Sequence, residues 1–119
     1  MTAVFILALR YHANSIFEIR LMAKLTTVYW RDIPAQVIAK ERRDTAKLVL
    51  SERFAEAIDK AAMRAKMAGT DAYLEHWRRE VTNCGRDLQA EVDAAAVVLE
   101  RAYDDARLDA LVSSGGVED

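Results

Sequence analysis

The chain has 119 residues, 52% hydrophobic and 30% charged, with four glycines and one proline; this fits one helix-rich globular domain and excludes collagen, low-complexity disorder and a disulfide scaffold. Seventeen Lys and Arg against nineteen Asp and Glu leave a formal charge of −2 with no basic block, so composition gives little support to nucleic-acid binding. The single cysteine, Cys84, closes no internal disulfide and makes no cysteine-rich zinc site.

Residues 1–21 differ from the rest. Their longest apolar run, Val4 to Leu9, is six residues against the roughly 20 that cross a bilayer, and Arg10, Tyr11, His12 and Asn14 interrupt it. Neither a signal peptide nor a membrane span is expected. At Met22 the text opens directly into a strand-like run, as a small cytoplasmic protein commonly begins, so translation is expected to start there, with 1–21 an over-extended or disordered segment.

Leu25 to Asp32 is rich in β-branched and aromatic residues and reads as a strand, with Thr26, Val28 and Trp30 on one face and Leu25, Thr27, Tyr29 and Arg31 on the other. Pro34 marks a turn or break over Asp32 to Pro34. Gln36 to Lys40 alternates again, Glu41 to Asp44 is a charged turn, and Ala46 to Leu50 is a third run, together an antiparallel meander whose apolar face needs a cover.

Helices supply that cover. Ser51 is a candidate N-cap for a helix through about Lys66 that carries Phe54, Ala57, Ile58, Ala61, Ala62 and Ala65 at helical spacing. Gly69 stops it, and a second helix is predicted over Asp71 to Thr82 with Leu74, Trp77 and Val81 on one face. Asp87 caps a long last helix to about Val112, in which Leu88, Val92, Ala95, Leu99, Ala102 and Ala106 form a near-heptad stripe that leaves a homodimer open. Ser113 to Asp119 is expected to be a flexible tail. The predicted fold is α+β: a three-stranded antiparallel meander covered by about three helices, the last one long, in one domain over 22–112.

The strong catalytic signatures for nucleotide binding, serine hydrolysis and zinc hydrolysis are absent. His76 reads as an exposed helical residue, Cys84 as a small residue at a helix end, and Asp104 with Asp105 as surface neighbours rather than a catalytic pair. No cofactor or metal is expected. The segment Tyr29 to Val37 is denser in chemistry, with two aromatics, Arg31, Asp32, Pro34 and Gln36 within nine residues. A scaffold role has the two aromatics packing on opposite faces and Arg31 and Asp32 pinning the turn. A recognition role has Tyr29, Trp30 and Arg31 anchoring a partner, with Gln36 bonding to it. On the second reading, replacing Trp30 and Arg31 together abolishes capture without unfolding the domain. A mildly basic stripe through Arg53, Lys60 and Arg64 is interleaved with Glu56 and Asp59 and reads as a solvated face.

Val28 to Val37, with Arg53-Phe54, Ala57-Ile58-Asp59, Ala62-Met63-Arg64, Asp71 to Leu74 and Trp77-Arg78, resembles the small bacterial "virulence factor" domain. Its members are short alphaproteobacterial proteins, and the same domain is fused to other modules in conserved virulence factor C proteins of Gram-positive bacteria. The resemblance covers Lys24 to Glu80 and brings no catalytic residues with it. Because relatives are encoded near corrinoid and tetrahydrofolate methyl-transfer proteins, it implies an accessory role in one-carbon metabolism. Two functional expectations follow. One is a non-catalytic interaction module that binds a larger bacterial protein, with no nucleic acid or membrane partner. The other is an accessory enzyme or small anionic-ligand protein using Arg31, Asp32, Arg53 and Arg64 around a pocket between sheet and helices.

Overall fold

The structure, a computed structural model, describes residues 23–119; the expectations for residues 1–21 and for a start at Met22 lie outside them. Three strands come first: β1 (Ala23–Trp30), β2 (Ile33–Glu41) and β3 (Asp44–Val49). They pair as the expected antiparallel meander through two-residue turns, in which Arg31 and Arg42 each take a φ of 53°. Tight hairpin turns ask for this left-handed backbone, which usually falls to Gly or Asn. Pro34 is not in the turn as expected. It is the second residue of β2, opposite Tyr29, where the register shifts between Val28 and Tyr29. β3 pairs with β2 only from Gln36 onward, so the missing proline N–H removes no bond from that ladder.

Helix α1 (Glu52–Arg64) runs nearly as its periodicity predicts and buries Phe54, Ala57, Ile58, Ala61 and Ala62. Its cap does not follow the expectation. The Ser51 side chain makes no capping bond to the helix; instead its N–H and hydroxyl donate to the Glu100 carboxylate at 2.7 and 2.8 Å. Helix α2 (Asp71–Glu75) is only one turn and a half, and the predicted helix to Thr82 is replaced by strand β4 (Trp77–Cys84), antiparallel to β1. The spacing of Leu74, Trp77 and Val81 fits a helix, yet Leu74 and Val81 are 65% and 57% exposed, so no apolar stripe is buried there. What decides the conformation is the second edge of β1, whose backbone groups are paired from Ala23 to Trp30 by this segment. The sheet order is therefore β3-β2-β1-β4, the spatial order of a Greek key with α1 and α2 in the return connection.

The expected long last helix is two: α3 (Leu88–Ala102) and α4 (Asp105–Ser113). Asp87 caps the first as predicted, accepting from the Ala90 N–H, and Asp104 caps the second by accepting from Arg107 at 2.9 Å. The break falls at Tyr103, which is buried edge-on against Phe54 with ring centroids 6.1 Å apart. Leu88, Val92, Ala95 and Leu99 pack on the sheet core rather than forming a free helical seam, and α3 lies across β2 and β3. The described fold is thus α+β with four strands and four helices, one of each more than expected.

The C-terminal segment is not a loose tail. Gly115 and Gly116 are buried with φ of 72° and 95°, and the Asp32 N–H donates to the Gly116 carbonyl at 2.9 Å. A Cβ at Gly116 would lie 2.7 Å from Cζ3 of Trp30, so only glycine lets the backbone approach the indole this closely.

Candidate functional site

At the β1–β2 hairpin tip, Trp30 is fully buried, stacked on Tyr73 at 5.6 Å, and donates its indole N–H to the Tyr73 carbonyl at 2.8 Å. Its neighbour Arg31 turns back into the molecule. One guanidinium nitrogen donates to the Gly115 carbonyl at 2.9 Å, and the other meets the Met67 sulfur at 3.2 Å and His76 Nε2 at 3.5 Å. Its Nε is buried without a hydrogen-bond partner among the described residues. His76 is accordingly half-buried, edge-on to Trp30, and not the exposed residue expected from helical spacing. Asp32 pairs with Arg78 at 3.2 Å and accepts from the Glu118 N–H at 2.7 Å. Trp30, Arg31 and Asp32 therefore bind parts of their own chain, as the scaffold role requires.

Beyond Asp32, Arg78 lies over the Tyr29 ring at 4.3 Å, and Arg107 over the Tyr103 ring at 3.8 Å. Each arginine is also paired, Arg78 with Asp32 and Glu80, and Arg107 with both carboxylate oxygens of Glu118. Burial pushes both phenols above the ordinary tyrosine range, so neither offers a phenolate nucleophile near neutral pH. The Cys84 thiol, buried at the end of β4, is likewise pushed up by burial and by Glu91 and Glu41. That environment suppresses the thiolate.

Arg53 is also held from within. It donates to the Glu100 and Tyr103 carbonyls and pairs with Glu100 at 3.1 Å. Burial raises the Glu100 carboxyl, but donors from Ser51 and Arg53 outweigh it and hold the group below the usual carboxylate range. A lowered folded-state value contributes stability that is full above the unfolded pKa of about 4.3 and is lost as pH falls through the folded value. Glu100→Gln is thus expected to cost about 1 kcal/mol at pH 7 in urea denaturation, a gap that closes in acid. A gap unchanged down to pH 3 sinks this assignment. Arg53, Arg31 and exposed Arg64 do not converge. The depression of about 290 Å³ beside Arg53 lies between α1 and α4, with Glu56, Asp105 and Asp109 in its wall, which is not the anion pocket expected between sheet and helices.

Gln36 alone of the singled-out residues opens onto a larger surface. One sheet face carries α3; on the other, Lys24, Lys40, Lys47, Arg79, Val49 and Val81 are exposed, the two valines at 63% and 57%, Thr26, Gln36 and Ile38 are half-buried, and Val28 and Trp30 are buried. Val28, Gln36, Trp77, Arg78 and Arg79 line a depression of about 600 Å³ there. A second of about 230 Å³ shares Gln36 and Trp77 with it and runs to Tyr73 and Ile58. The strict alternation in β1, β2 and β3 carries the signal for most of this face. Trp77, Arg79 and Val81 carry none, because their strand reads as a helix.

Fold and surface together define a small α+β domain built on a four-stranded antiparallel sheet with one helix-covered face and one bare one. A family model described as Virulence factor matches residues 28–112, and the chain belongs to that family. The match runs past Glu80, where the resemblance in the sequence stopped, and takes in α3 and most of α4. No curated protein and no solved structure matches the chain. Among the described residues no helix is long and apolar enough to cross a membrane, and no cluster of three or more metal-ligating side chains occurs.

Proposed function

We propose that this chain is a non-catalytic docking module that binds a larger bacterial protein through the bare sheet face, with Gln36 and Trp77 where the groove begins. The observation that supports this reading is the exposure of branched aliphatic residues, Val49 and Val81, on the sheet face opposite α3, which α1 and α2 border only at its Trp30 end. The two valines stand on the outer strands β3 and β4, and half-buried Ile38 and Thr26 connect them across the sheet into one surface of the kind that marks interaction sites. The hairpin residues Trp30, Arg31 and Asp32 then shape the module rather than touch the partner, while Tyr29, Pro34, Arg53 and Arg64 lie off the bare face or in its supports.

The test is a photo-crosslinking residue placed at Gln36 or Val81 in the full chain in its native cell, with exposed Ala94 on α3 as the control. One partner crosslinked from the sheet positions and not from Ala94 is expected. Equal labelling from all three, or none, refutes the docking face. A partner that handles methyl groups on corrinoid or tetrahydrofolate would extend the proposal to an accessory role in one-carbon metabolism.

A further inference from the structure

The charge on the bare face is one-signed. Register places Lys24, Lys40, Lys47 and Arg79 there with Thr26, Ile38 and Val81 between them, and the face carries no carboxylate. None of the four cations is within ion-pairing distance of a described carboxylate, whereas Arg53, Arg78, Arg86 and Arg107 all are. Lys24 and Lys40 stand directly opposite each other across β1 and β2, and like charges so placed weaken a sheet. Lysines on sheet edges guard against aggregation, but β1 and β2 are the two central strands, so that role does not explain this pair. Lys24 does donate to Asn83, a neutral partner that leaves its charge uncompensated. Four unpaired cations on a chain with a net charge of −2 are a local reversal of the molecule's overall sign.

Resting on the docking reading, we infer that the occupant is an amphipathic helix of a partner protein, with an apolar stripe flanked by Asp and Glu. The stripe lies along Ile38, Thr26 and Val81, one row across the sheet that ends in Lys47, and the acidic flanks meet Lys24 with Lys40 on one side and Arg79 on the other. Such a helix crosses the strands, and its width of about 10–12 Å matches the four strand residues, about 13 Å, that separate the Lys24–Lys40 row from the Arg79 row. A single-stranded nucleic acid fits less well: its bases stack on aromatic platforms, and the centre of this face is aliphatic, with Trp77 at one end. Residues 1–22 carry Arg10 and Arg20 against Glu18 and bring no complementary charge.

The experiment is an NMR titration of the isotope-labelled full chain with a synthetic helical peptide bearing a leucine stripe and glutamate flanks. Its lysine-flanked counterpart and a short oligothymidylate are run in parallel. The acidic peptide is expected to shift resonances of β1, β2 and β4 on this face, to weaken steeply with salt, and to bind at least tenfold more weakly to Lys24→Glu/Lys40→Glu. Lys60→Glu, on the side of α1 that faces α4, leaves binding unchanged. Equal binding of the lysine-flanked peptide, tighter binding of the oligothymidylate, shifts elsewhere or no binding overturns the acidic helix. So does self-association of the chain through this face. A crosslink from Gln36 to a partner segment without acidic flanks leaves the docking reading standing and removes only the charge assignment.

Discussion

Trp30→Ala is expected to lower the unfolding free energy by about 3–5 kcal/mol, a large share of the about 5–15 kcal/mol that holds a domain of this size together. The indole is fully buried, stacks on Tyr73, donates to its carbonyl, and forms the surface against which Gly116 closes. Removing it opens a cavity and takes the 2.8 Å donor from that carbonyl, which keeps only the His76 N–H at 3.4 Å, two separate costs. Circular dichroism with urea denaturation reads the loss directly, and a change below about 1 kcal/mol would show that the site is not the core it is described as. Because Trp30 is fully buried and Arg31 bonds within the chain, replacing the two together removes structural contacts, and loss of partner capture in such a variant does not separate recognition from stability. The informative variants are on the bare face, where Gln36 is half-buried and Val81 is exposed.

Deleting residues 115–119 is expected to cost about 3 kcal/mol, far more than an exposed tail would. The deletion removes the Gly115 carbonyl from Arg31, the Gly116 carbonyl from the Asp32 N–H, and Glu118 from both Arg107 and Asp32. It also uncovers Trp30 and leaves the Arg31 guanidinium with only Met67 and His76 nearby. Glu118→Ala alone should cost less than about 1 kcal/mol, because its pair with Arg107 is more than a third exposed and partly screened. A thermal-denaturation series of wild type, Glu118→Ala and the truncation separates the two effects. Equal melting temperatures for wild type and truncation would return this segment to the status of a tail.

Much of the site was legible where its chemistry is local. The alternation Lys24-Thr26-Val28 and Gln36-Ile38-Lys40 places those residues on one face from sequence, since successive strand side chains point to opposite sides. Arg31 and Asp32 as turn-pinning residues also follow from the hairpin. That Trp30, one position away and on the bare-face parity, is instead buried was not legible. Its cover comes from Tyr73, 43 residues on, and Gly116 near the other end of the chain. Arg53 reads as one of a basic stripe, yet its partner Glu100 lies on α3, 47 residues away.

The amino-acid sequence by itself determined the β1–β2–β3 meander, the body of α1 and the Asp87 cap of α3, because side-chain period, turn composition and capping act over a few residues. Tertiary structure alone decided the remainder. The segment Trp77–Cys84 carries apolar residues at spacings that suit a helix and became a strand because β1 had a second edge to pair. The last helix broke where Tyr103 met Phe54, and the final residues became a latch because Gly116 alone allows backbone against Trp30. The one-signed bare face belongs to this second group: whether a charged face of a strand is covered or open depends on where distant helices land. Here α3 took the opposite side of the sheet and left four cations in solvent with no described carboxylate in ion-pairing range.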